Sequence, residues 1–201
     1  MDRSARLPVA LAVVVVVAVA VSAIRPKSYL TWLLEVAPIL VALPVLVLTY
    51  RRFPLTGLVY WLIFGHALVL ALGAHYTYAE VPLGDLPWTD RNHYDRFAHF
   101  VQGFVPAVVV REILLRRTPL RPGGWTFTLV SAVCLAVSAC YELLEWLGAL
   151  TGGESAEDFL GTQGDVWDTQ WDMLLALAGA LVAQLVLARV HDRRLAELSV
   201  R

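Results

Sequence analysis

Apolar runs of about membrane-spanning length, separated by short polar connections, set the rhythm of this chain. A helix needs about 20 mostly apolar residues to cross a bilayer. Six segments reach that length: residues 7–24, 29–50, 55–74, 94–115, 125–148 and 167–190. The connections carry turn chemistry, as in Arg51-Arg52-Phe53-Pro54 and Pro119-Leu120-Arg121-Pro122-Gly123-Gly124. Two are longer, residues 75–93 and 149–166. The β-branched run at residues 13–17 does not argue for a strand, because in lipid only a helix satisfies its backbone. The pattern predicts an all-α polytopic bundle of six transmembrane helices in one integral membrane domain, residues 1–201.

Composition agrees. The chain is 58% hydrophobic and 16% charged, against about 25% charge in a soluble domain. No basic stripe with interleaved aromatics supports nucleic-acid binding. Cys134 and Cys140 are spaced like neither metal ligands nor a redox pair, and both are expected to be small core residues. The first segment has Arg3 and Arg6 in front and a Val21-Ser22-Ala23 end that loosely fits a signal-peptide cleavage site. Its apolar stretch exceeds the usual ~7–15 residues of a signal peptide, so a retained anchor is expected.

The net charge of −1 conceals a segregation that sets the expected orientation. With the N-terminus cytoplasmic, the inner ends hold Arg3, Arg6, Arg51, Arg52, Arg111, Arg116, Arg117, Arg121, Arg189, Arg193, Arg194 and Arg201, 12 of the 16 cations. The outer ends hold Arg25, Lys27, Arg91 and Arg96. Of 17 acids, only Asp2, Glu112, Asp192 and Glu197 fall inside. Both termini are expected in the cytoplasm.

Candidate chemistry gathers at the outer ends of the last three spans. Asp95, His99 and Gln102 stand at i, i+4 and i+7 on one helix face. At ~1.5 Å rise per residue, His99 lies ~6–8 Å below the helix start. Pro106 removes a bond to the Gln102 carbonyl. Glu142 and Glu145 repel each other at i, i+3, near a helix C-terminus where the macrodipole disfavours negative charge. Asp165, Asp168 and Asp172 share a face with Trp167 and Trp171 beside them, and Gly179 permits close helix approach further down.

A structural explanation competes for part of this set. Asp165 and Asp168 fit a capping arrangement, and Asp95 suits the first turn of a helix. Interfacial Trp and Tyr are ordinary in membrane proteins. Capping does not cover His99, Glu142, Glu145 and Asp172, a turn or more inside the spans, where ionisable groups are costly and usually functional. The competing account of that quartet is an internal salt-bridge network with Arg96. Glu35 and His66 have no partner that spacing identifies. Glu112 and Arg116 read as an ordinary surface pair, His75, Tyr76 and Tyr78 as a rim to the site, and Pro38 and Pro44 as kinks in the second span.

Three motifs carry a family resemblance: HYDRFAHFVQGF at 93–104 followed by Arg111-Glu112, YELLEW at 141–146, and GTQGDVWDTQWDM at 161–173 followed by Gly179-Ala180. Together they cover roughly residues 60–185 and resemble the YjdF-like inner-membrane proteins of bacteria, which implies a bacterial inner-membrane location and supplies no substrate. A fainter similarity runs to VanZ-like membrane proteins, whose Asp-Lys helix start and Asp-x-x-x-Asn differ here by Arg96 and Asp172. The extra carboxylate keeps ligand and mechanism from being carried over.

Three functions fit the site. An outer-leaflet reading has it bind, with or without catalysis, a lipid or lipid-linked envelope head group. In an enzyme, His99 would be a general base or metal ligand oriented by Asp95, and Glu142, Glu145 and Asp172 further ligands or an acid. Asp95, His99, Glu142, Glu145, Asp168 and Asp172 form a candidate divalent-cation site, and a His with several carboxylates suits Zn or Mn. A small transporter is the second reading, but the last three spans carry no ionisable residue between the outer third and Arg111 and Arg189. A scaffold without chemistry is the third. Up to five carboxylates cannot all stay ionised together in a poorly solvated pocket, so protons or a divalent cation must neutralise them.

Overall fold

The computed structural model describes residues 5–152 and 162–199. Asp2, Arg3, Arg201, the acids Glu154, Glu157 and Asp158, and Gly161 of the third motif lie outside the described residues. Among the described residues six α-helices follow in order: α1 Arg6–Ser22, α2 Tyr29–Thr49, α3 Gly57–Tyr76, α4 Tyr94–Arg117, α5 Gly124–Gly152 and α6 Asp168–Ser199. Two short 3₁₀ turns, Tyr78–Glu80 and Pro82–Gly84, fill the α3–α4 connection. From α2 to α6 all five helices are long and apolar enough to cross a membrane, whereas α1 is a shorter apolar helix of 17 residues. The backbone stays helical through Pro38 and Pro44 in α2 and through Pro106 in α4.

Side-chain caps fix two helix starts. The Ser28 hydroxyl accepts from the Thr31 N–H at 3.3 Å, opening α2. Thr56 does the same for Val59 at 3.4 Å, opening α3. Each satisfies a backbone donor that the first helical turn leaves free.

Helix α4 is the centre of the bundle, packed against α3, α5 and α6, while α1 and α2 lie along α3. The α4–α6 pair is the closest. A Cβ added at Gly103 would run into the Ala176 carbonyl, and one at Gly179 into the Phe100 carbonyl. Two glycines on facing helices thus let the backbones meet, the device that replaces hydrophobic attraction between helices in lipid. Below them Ala107, Val108, Val130, Cys134, Ala180 and Ala183 close the core with Leu55 and Val59. Cys140, expected inside, is instead exposed on the outer surface of α5. Six residues at about 100° each leave it ~120° around the helix from Cys134, too far to share one buried face.

The glycine contacts give a direct test. Gly103→Ala and Gly179→Ala should each lower the thermal stability of the purified protein by about 1–3 kcal/mol, since the obstructing atoms are backbone and cannot rotate away. Gly65→Ala, where an added Cβ meets nothing within 4 Å, serves as the control and should cost nothing. Equal melting of all three variants would show that the α4–α6 crossing is looser than described.

Candidate functional site

The close α4–α6 approach sets the depth at which their polar residues meet. Asp95 and His99 come from successive turns at the start of α4, and Asp172 from the second turn of α6. Glu142 reaches them from α5. His99 Nε2 lies 3.5 Å from Asp95 Oδ1 and 4.0 Å from Asp172 Oδ2. Its other nitrogen, Nδ1, faces Glu142 Oε1 at 3.8 Å. All four residues are buried, none more than 6% exposed. One ligand atom from each of Asp95, His99 and Asp172 can be chosen so that all three lie within 4.8 Å of one another.

These contacts are longer than hydrogen bonds, which end near 3.2 Å for N–H···O. Accordingly His99 Nδ1, Glu142 Oε1 and Asp172 Oδ1 are buried with no hydrogen-bond partner. Buried polar atoms are rarely left so, and each one calls for an explanation. Glu145, one turn further along α5 and half-buried, stands within electrostatic reach of His99, Asp95 and Asp172.

The arginines do not serve the quartet. Arg91 is ion-paired with Asp168 and donates to the Thr162 carbonyl at 2.8 Å. Arg96 donates to Asp165 at 2.8 Å and lies over the Trp171 ring, 5.3 Å from its centre. Asp165 in turn accepts from the Trp167 N–H at 2.9 Å, holding the approach to α6. Two of the six candidate acids at this end are therefore fixed by arginine, and the set around His99 is not. An open cavity of about 280 Å³ lies above, lined by Thr162, Asp165, Asp168 and Thr169.

Two loops are stitched together over the site. Asn92 N–H donates to the Gln163 side-chain carbonyl at 2.9 Å, and the Gln163 amide returns a bond to the Asn92 carbonyl at 3.0 Å. The Asn92 side chain spans Val81 and Asp85 and accepts from the Tyr94 N–H. Sequence reasoning missed Asn92, Gln163 and Arg91 as organisers of the site, because each acts through a loop contact some 70 residues away.

Glu35, left without a partner by spacing, belongs to the same region. It is 4% exposed, its Oε2 has no hydrogen-bond partner, and it lies beside the Tyr78 backbone N–H. Tyr78 stacks on Tyr94 with ring centres 5.9 Å apart. Its hydroxyl is pushed well above the ordinary tyrosine range, by burial first and then by Glu35, Tyr141, Tyr94 and Asp95 around it. Of the expected rim, Tyr78 does lie against the site; His75 instead bonds the Ser22 carbonyl at 3.0 Å, and Tyr76 is exposed.

The opposite, arginine-rich end holds a second buried cluster. Glu112 is fully buried and is no surface pair. Its carboxylate accepts from the Thr56 N–H at 2.9 Å, the Thr56 hydroxyl at 2.8 Å and Arg116 at 2.7 Å. His191, also fully buried, lies 3.0 Å from it through Nε2. Arg111 donates to His191 Nδ1 at 3.0 Å and pairs with Asp192 at 2.7 Å. Arginine can only donate, so Nδ1 is the acceptor and Nε2 carries the hydrogen given to Glu112. An i, i+4 Glu–Arg pair looks superficial in sequence, because the third and fourth partners come from α6 and from the cap of α3.

Comparison with known proteins places the chain. Residues 7–193 match the family described as "Predicted membrane protein (DUF2238)". "Inner membrane protein YjdF" of Escherichia coli K12 is 51% identical over 176 residues, 86% of this chain and 84% of the relative. No solved structure matches it. With five helices long enough to span and a match over nearly its whole length, the chain belongs to the DUF2238 family and is a multi-pass protein of the bacterial inner membrane.

Proposed function

We propose that this protein holds a divalent cation, Zn or Mn, between Asp95, His99 and Asp172, and through it binds a lipid or lipid-linked head group at the outer leaflet. The observation that carries the reading is that His99 Nδ1, Glu142 Oε1 and Asp172 Oδ1 are buried without hydrogen-bond partners, in a set where His99 stands 3.8 Å from Glu142 and 4.0 Å from Asp172. Ligands about 2.1 Å from a tetrahedral ion stand roughly 3.4 Å apart. The 3.5 and 4.0 Å separations from His99 Nε2 are close to that spacing. Glu142 would then accept the Nδ1 hydrogen and orient the imidazole, the usual outer partner of a metal-bound histidine. Asp168, fixed by Arg91, shapes the loop and does not ligate. Elemental analysis of protein purified without chelator should find roughly one such ion per chain; protein folded and metal-free after incubation with Zn and Mn would overturn the cation.

The same reading places residues 1–201 in a single membrane domain of six spans, α1 included, with both termini cytoplasmic. The 12-to-4 division of cations between the two ends supports it. Reporter fusions after Arg121 should report cytoplasm, and fusions within residues 154–161 the far side. A cytoplasmic signal from the second set would reverse the orientation and move the site to the inner leaflet.

A further inference from the structure

Glu35 is not used by the cation site, yet it is buried beside that site with a bare oxygen. Three of the four cations at this end are committed elsewhere, Lys27 to Glu80, Arg91 to Asp168 and Arg96 to Asp165, and the fourth, Arg25, is exposed. Tyr78, Tyr94 and Tyr141 each lie within electrostatic reach of Glu35, as does Asp95. Two of these rings are held by their hydroxyls, Tyr94 donating to the Val69 carbonyl at 2.8 Å and Tyr141 to the Leu34 carbonyl at 3.4 Å. A buried carboxylate oxygen without a partner is the chemistry that receives an alkylammonium group, through a charge-assisted hydrogen bond.

The surroundings say where such a group would come from. Helix α2 packs along α3 and only sparsely against α5. Leu30, Leu33 and Leu34 on α2 are exposed, as are Leu143 and Leu144 on α5, so both helices present apolar surface to lipid. Between them the described contact is the long bond from Tyr141 to Leu34, which a ligand can displace at little cost.

We propose that Glu35, beside Tyr78, Tyr94 and Tyr141, receives the primary ammonium of an aminoalkyl phospholipid that enters sideways between α2 and α5, its phosphate turned to the His99 cluster. The proposal rests on the cation reading for the phosphate alone; the ammonium side stands on Glu35 and the tyrosines. A primary amine is favoured over a quaternary one because the bare Oε2 needs an N–H donor, which a trimethylated nitrogen lacks. A hydroxyl head group supplies a donor without the charge.

The test uses the full-length protein in detergent, loaded with Mn and offered equal mixtures of phosphatidylethanolamine, phosphatidylcholine and phosphatidylglycerol, with retained lipid read by native mass spectrometry. Phosphatidylethanolamine should be retained about tenfold over the other two, the scale of one charge-assisted hydrogen bond. Glu35→Gln should erase that preference while Mn binding persists, which also reports an intact fold. Tyr141→Leu, which leaves every buried carboxylate in place, should weaken the preference in the same direction. Equal retention of the three lipids, or an ethanolamine preference undiminished in both variants, overturns the head-group assignment. The two readings fail separately: loss of the cation shows as absent Mn binding in the unmodified protein, loss of the ammonium site as Mn binding without lipid preference.

Discussion

Chelation of divalent cations should lower the melting temperature of the purified protein by roughly 5–10 °C, and His99→Ala should melt at the chelated value with or without metal. A ligand present at about 100 times its dissociation constant stabilises the folded state by ~2.7 kcal/mol, and in a chain of this size each kcal/mol moves the midpoint by about 2–4 °C. His99 is the natural residue to remove, because its Nε2 stands within 4.0 Å of both Asp95 and Asp172. Asp172→Asn should reproduce most of the effect. Asp168→Asn should not, since that carboxylate is occupied by Arg91; it should loosen the loop and leave the chelator response in place. If protons rather than a metal neutralise the cluster, chelators will do nothing and Glu145→Gln will be tolerated or even stabilising. A protein indifferent to chelator, with His99→Ala behaving as wild type, would remove the cation from the mechanism.

What separates the legible from the illegible here is the range of the interaction. The long helices followed from apolar run length, whereas the caps Ser28 and Thr56 that fix two of their starts were not read from the sequence. The meeting of His99 with Glu142 and Asp172 was also readable, because residues at matched depth below one surface have few places to go once α4, α5 and α6 pack. Gly179 announced the close crossing; Gly103, its counterpart on α4, did not, since a glycine in a helix says nothing about what faces it.

Partner choice was not readable. Asp165 and Asp168 look like members of the acidic cluster, and only the fold brings Arg91 from the α3–α4 loop and Arg96 from the first turn of α4 onto them. Glu35 has no i±3 or i±4 partner on α2; its neighbours arrive from the turn after α3 and from α4 and α5. Helix ends also ran past the apolar segments: α6 continues to Ser199 and carries His191 and Asp192, residues that hydropathy leaves outside the span. That extension is what buries His191 against Glu112.

Glu112→Ala should be the most destabilising single substitution at the arginine-rich end, at about 3–5 kcal/mol, the cost of breaking a buried ion pair from one side. Its removal strands the Thr56 N–H and hydroxyl, the Arg116 guanidinium and the His191 Nε2 hydrogen at once. The loss extends beyond α4, because Thr56 caps α3 and Arg116 also reaches the Pro54 carbonyl at 2.7 Å. Asp192→Ala gives the contrast. It breaks a 2.7 Å pair with buried Arg111, but the Asp192 carboxylate is 43% exposed and His191 still accepts from Arg111, so the cost should be smaller than for Glu112. His191→Ala should fall between them, leaving Arg111 with Asp192 alone and Glu112 with three donors in place of four. The double variant Glu112→Ala/His191→Ala should cost less than the sum of the singles by at least about 1 kcal/mol, as residues sharing one network do. Thermal unfolding of the four proteins in one detergent reads all of these terms. A Glu112→Ala protein no less stable than Asp192→Ala would mean that water, not Glu112, satisfies these donors.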